Sequence, residues 1–105
     1  MVRNRVPLSQ AGIVRTQANR TKADFSRAMG VTLQRLRLER GLSQERLAHM
    51  AGISSYTYQK FEKGESKPGT PMNPRLFTLM SLAEVLEVPL DELVPTDWPD
   101  LTEGR

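Results

Sequence analysis

Three glycines, Gly41, Gly52 and Gly64, punctuate a helical pattern in the middle of this chain. Glycine adopts the left-handed conformation that ends a helix without steric cost, so each is read as a helix stop. A serine follows each of the first two, Ser43 and Ser54, where a side-chain oxygen can cap the next helix. Glu45 lies in the first turn after Ser43, where the helix dipole favours an acid. The spacing therefore predicts two short helices in succession. Leu47, Ala48 and Ala51 form the inner face of one, and Tyr58 and Phe61 that of the other, which runs to about Lys63.

Upstream, Phe25, Met29, Leu33 and Leu36 recur at helical spacing from about Asp24 to Gly41, with Gly30 placed to split the run into two helices. Downstream, residues 65–73 are a loop by composition, and Asn73-Pro74 starts a fourth helix. That helix carries Leu76, Leu79, Met80, Leu82, Ala83 and Leu86 on a wide apolar stripe. Val88-Pro89 breaks it, and Leu90 to Val94 forms a last short turn. Residues 1–20 are polar and basic, with a short helix expected near Ser9 to Gln17. No strand pattern and no internal repeat is found. The expectation is an all-α, five-helix domain over residues 24–94, with a basic N-terminal extension over 1–23 and an acidic tail over 95–105.

Charge is unevenly distributed along the chain. Residues 1–30 carry +5, residues 31–70 carry +3 and residues 71–105 carry −5. A basic first two-thirds suits a polyanion approached from one side. The chain has no cysteine and a single histidine, His49, so neither a disulfide framework nor a histidine or thiolate zinc site is expected, and no cofactor. With no apolar run near the roughly 20 residues of a membrane span and no signal-peptide core, the expected compartment is the cytoplasm.

Two short helices joined through a glycine turn are a helix-turn-helix arrangement. Ala48 is small where the two helices cross, and Gly52, four residues on, turns the chain. With Tyr58 and Phe61 turned inward, the second of these helices shows Ser55, Tyr56, Gln59, Lys60 and Lys63 to solvent. That face offers donors, acceptors and positive charge without an acid, as a helix lying in the major groove requires. The stretch from Leu33 to Pro68, with GLSQERLAHMAGIS at its heart, and LFTLMSLAEVLEVPLDELV from Leu76 to Val94, resembles the phage-repressor and Cro type of helix-turn-helix protein, the xenobiotic-response-element type. The resemblance implies a five-helix, lambda-repressor-like domain binding double-stranded DNA as a homodimer on a two-fold operator.

By motif position, Ser55, Tyr56, Lys60 and Gln59 resemble base-reading residues. Gln44, Lys63, Lys67 and Arg37 resemble phosphate contacts, and Arg37 with Glu62 matches the family's structural pair. Two features depart from the family pattern. Tyr58 replaces a valine or isoleucine, so that it either enlarges the core or sends its phenol to a phosphate, and the 65–73 loop is longer than usual. Leu93, Val94 and Trp98 are candidate dimer contacts. The leading expectation is a nucleoid-associated repressor. The alternative is an antitoxin that binds a toxin-like partner protein and its own promoter. An enzyme is disfavoured, because no nucleophile, acid–base pair or metal cluster is placed to share a cleft.

Overall fold

The computed structural model describes residues 21–102. Most of the basic extension, including the short helix expected near Ser9 to Gln17, lies outside the described residues. Five helices follow in order: α1 (Lys22–Glu39), α2 (Gln44–Ala51), α3 (Ser55–Lys63), α4 (Leu76–Leu86) and α5 (Leu90–Leu93). A two-stranded antiparallel hairpin, β1 (Glu65–Lys67) and β2 (Thr70–Pro71), stands between α3 and α4.

The helix ends are set by the residues the sequence places there. Thr21 caps α1 through a reciprocal box, its hydroxyl accepting from the Asp24 N–H while Asp24 accepts from the Thr21 N–H. Ser43 and Ser54 accept from the Arg46 and Thr57 N–H groups, and so cap α2 and α3. Gly52 and Gly64 close those two helices at φ 79° and 85°. Each of these bonds satisfies a backbone group that a helix end would otherwise leave unpaired.

Met29, Leu33 and Leu36 of α1, Leu47, Ala48 and Ala51 of α2, Tyr58 and Phe61 of α3, and Leu82, Ala83, Leu86 and Leu93 form one buried core. Ile53, in the turn, packs against it half-buried. The Ser81 hydroxyl donates to the Ala51 carbonyl at 2.8 Å, tying α4 to the end of α2.

Several expectations need correction. Gly30 does not split α1, which is continuous for 18 residues. It is the point where α1 crosses the end of α3, and a Cβ added there would fall on the carbonyl oxygens of Phe61 and Glu62. The 65–73 segment is not simply a loop. Its strands, three and two residues long, are too short to show an alternating pattern, and the Pro68-Gly69 pair turns the chain with Gly69 at φ 82°. The Met72 N–H closes the hairpin base on the Gly64 carbonyl at 2.9 Å, and the Ser26 hydroxyl donates to the Met72 carbonyl at 2.7 Å. Helix α4 starts with Arg75 as its N-cap, two residues later than Asn73-Pro74 suggests. Its stripe is only partly buried, because Leu76 and Met80 face solvent with Phe77. Leu93 is fully buried, which removes it as a dimer contact.

Candidate nucleic-acid interface

Helix α3 has two unlike sides. Its inner side is held by a polar knot around Glu62. The Arg37 Nε and Nη2 groups donate to the two carboxylate oxygens at 2.6 and 3.2 Å, the bidentate fork that suits guanidinium to carboxylate. Gln44 Nε2 donates to Oε1 at 2.8 Å, and the Tyr58 hydroxyl donates to Oε2 at 2.5 Å. The third arm of Arg37 reaches the Leu42 carbonyl at 2.9 Å, at the entry to α2. One carboxylate thus joins α1, α2 and α3, and Arg37 ties in the turn into α2 as well.

The knot is almost out of water: the Arg37 and Glu62 side chains are 10% and 7% exposed. Burial pushes the Glu62 carboxyl up, but the bonds from Arg37, Tyr58 and Gln44 outweigh it and hold the group below the usual carboxylate range. The bond to Glu62 raises Arg37, which stays charged. Burial, then the bond to Glu62, pushes the Tyr58 phenol well above its ordinary value, so it remains a donor. Of the two possibilities for Tyr58, the structure selects the inward one: the residue is fully buried.

The outer side of α3 is open. Tyr56 is 67% exposed, Gln59 and Lys63 are exposed, and Ser55 and Lys60 are half-buried. The Lys60 ammonium sits 4.3 Å from the centre of the Tyr56 ring, a cation–π contact that aligns both side chains. Beyond them the hairpin completes a cleft of about 290 Å³ lined by Tyr56, Gln59, Lys60, Lys63, Glu65, Ser66, Lys67 and Pro68. Tyr56, Gln59, Lys60, Lys63 and Lys67, assigned separately in the sequence, therefore share one surface, with Ser55 at the N-terminal end of the same helix. Gln44, Arg37 and Glu62 lie behind it, in the knot.

Three features escape the sequence reading. Tyr58 belongs to the knot, and its spacing of four from Glu62 along one helix was the available signal. Gly30 is the contact point of α1 with α3, signalled only by its small size in an otherwise unbroken pattern. The hairpin contributes Glu65, Ser66 and Pro68 to the cleft, a contribution that no periodicity in so short a segment announces.

A short helix bearing an exposed polar and basic face, locked at a fixed angle to the helix before it, defines the helix-turn-helix class of DNA-binding proteins. The chain belongs to the helix-turn-helix family (HTH_3), in its phage-repressor and Cro type: the family model matches residues 33–93. It is 37% identical over 68 residues to the cryptic phage CTXphi transcriptional repressor RstR of Vibrio cholerae, a match spanning 65% of this chain and 56% of the repressor. It is likewise 37% identical over 75 residues, 70% of this chain and 90% of the relative, to the HTH-type transcriptional regulator y4dJ of Sinorhizobium fredii, itself uncharacterized. Among solved structures it is similar to the P22 c2 repressor in complex with a synthetic operator, with TM-score 0.57 and 25% identity over 66% of this chain and 96% of that one.

Proposed function

We propose that this chain is a non-enzymatic transcriptional repressor that binds a two-fold DNA operator as a homodimer, with α3 in the major groove, acting on nucleoid DNA in the cytoplasm. The observation that carries this reading is the division of α3: its inner side is consumed by the core and the Glu62 knot, while its outer side is open, polar and basic. Similarity to the CTXphi repressor and to the operator-bound P22 repressor supports it.

In this reading Tyr56, Lys60, Gln59 and Ser55 meet base edges, because they occupy the outer face of the helix that enters the groove. Tyr56 supplies ring surface for a thymine methyl, and the polar groups supply hydrogen bonds. Lys63, and Lys67 on the hairpin, meet phosphates at the rim. Gln44 spends one N–H on Glu62 and keeps a second for a phosphate. Arg37 acts mainly through Glu62, because its guanidinium is engaged in three hydrogen bonds. Phosphate contacts supply most of the affinity and base contacts most of the choice.

Selection from a random duplex pool tests the proposal. An enriched inverted repeat with half-sites about one helical turn apart is expected. Binding should weaken steeply as salt rises. A folded protein that enriches nothing overturns the stand-alone repressor and moves attention to a protein partner.

A further inference from the structure

Three segments far apart in the sequence meet around a groove that no described side chain fills. The start of α1, the stretch from β2 to α4, and the tail after α5 enclose about 660 Å³. The lining is largely apolar, with Phe25 and Met29 from α1, Met72 before α4, Leu79 within it, and Trp98 and Leu101 from the tail. Phe25 and Trp98 are left half-buried, and Leu101 is 59% exposed. A concave apolar surface of this size is of the class that takes up an apolar occupant.

The place where the chain meets the groove indicates that occupant. Lys22, the only charged residue of the lining, is the first residue of α1, so residues 1–20 join the described structure at the groove's edge. Those residues include Val6, Leu8, Ile13 and Val14, with Pro7 and Ala11 among them. Ile13 stands nine residues before Lys22, a length of chain that spans up to about 30 Å when extended. That reach exceeds the width of the groove, so the segment can return onto any of its walls. At the other end, residues 103–105 are Glu, Gly and Arg and offer no apolar side chain.

Charge favours the same occupant. Residues 1–20 hold four arginines, Arg3, Arg5, Arg15 and Arg20, and no acid. Residues 90–102, which supply the tail wall, hold Asp91, Glu92, Asp97 and Asp100 and no base. The attraction acts between two segments and needs no particular pair.

We propose that residues 6–14 of the chain fold back into this groove, seating Val6, Leu8, Ile13 and Val14 on its apolar walls, with the flanking arginines beside the acidic tail. The hairpin is shared between this groove and the cleft beside α3: β1 and the turn line the cleft, while β2 and Met72 line the groove. A seated segment therefore braces the hairpin that carries Lys67. The docking holds whether or not the outer side of α3 binds DNA, and its test contains none.

Trp98 is the one tryptophan of the chain, so its fluorescence reports on the groove. The test compares the full chain with two variants of it, Val6→Asn/Leu8→Asn/Ile13→Asn/Val14→Asn and the conservative Ile13→Leu/Val14→Ile. Emission, acrylamide quenching, uptake of 1-anilinonaphthalene-8-sulfonate and amide exchange are measured on each. Wild type and the conservative variant are expected to keep Trp98 shielded and to take up no dye. The asparagine variant should show red-shifted emission, a severalfold larger quenching constant and dye uptake, with the helical circular dichroism of wild type. Its Met72 amide, which donates to the Gly64 carbonyl, should exchange faster. Equal quenching of Trp98 in wild type and the asparagine variant overturns the proposal, as does dye uptake by wild type, which would leave the groove open to small apolar molecules. Shielding lost on dilution overturns it as well, because the segment of a second copy would then fill the groove. Unchanged exchange at Met72 overturns the bracing of the hairpin.

Discussion

The two sides of α3 occupy the same nine residues and obey opposite constraints. On the inner side, Tyr58, Phe61 and Glu62 have their neighbours fixed: a glycine of α1 against the backbone, a buried arginine, and two further donors on one carboxylate. On the outer side, Tyr56, Gln59 and Lys63 are exposed and line an open cleft with the hairpin, the Tyr56 ring meeting Lys60. The inner side determines where the helix points and leaves the chemistry of the outer side free to vary. A protein built this way can change what it reads without changing how it folds. That separation can be tested by substitutions on each side.

The largest effect is expected on the inner side, at Gly30→Val. The new side chain would meet the Phe61 and Glu62 carbonyls, which cannot yield without parting α1 from α3. Urea denaturation should show a loss of about 4 kcal/mol or more, large for a single substitution because the obstruction is backbone. Next comes Glu62→Ala, which leaves the Arg37 charge in the interior without its counter-ion. The expected cost is about 3 kcal/mol. Milder replacement by Gln removes the charge and should flatten the acid limb of stability. Glu62 titrates below its unfolded value, so its contribution is complete above the ordinary carboxylate range and is lost as pH falls through the lowered one. Wild type should therefore lose stability on acidification more steeply than Glu62→Gln.

Outer-side substitutions should reverse this pattern. Tyr56→Ala or Lys60→Ala should leave the unfolding free energy from urea denaturation within about 0.5 kcal/mol of wild type. Each should cost about 1–3 kcal/mol of operator binding and relax sequence preference. The smallest effect belongs to Lys67→Ala on the hairpin, which should weaken binding uniformly across sequences and reduce the salt slope by about one. An outer-side variant that melted early, or an inner-side variant that kept its stability and changed its preferred sequence, would break the comparison.

Much of this was legible in the sequence because it is local. Ser43, Ser54, Gly52 and Gly64 set α2 and α3 through contacts within a few residues, and periodicity alone separates Phe61 from Gln59. What was not legible depends on distant chain. The role of Gly30 is set by backbone more than thirty residues away, so its sequence neighbours suggest only a helix break. Leu76 and Met80 fit an apolar stripe, but α4 packs on one side only and leaves them in water. The hairpin depends on a turn and on the Ser26 and Gly64 bonds to Met72, none of which leaves a repeating pattern. Among the site residues, positions on α3 could be assigned to a face from spacing. The convergence of Arg37, Gln44 and Tyr58 on one carboxylate was only partly visible, through the family's Arg37–Glu62 pair.

The most direct test replaces the outer side as a unit. A variant with Ser55, Tyr56, Gln59 and Lys60 all changed to alanine should be selected against the same random duplex pool as wild type, with its melting temperature measured in parallel. The account predicts a folded protein, with stability close to that of wild type, that no longer enriches the wild-type motif. Enrichment of the same motif by the folded quadruple variant would contradict it and place base reading elsewhere on the molecule.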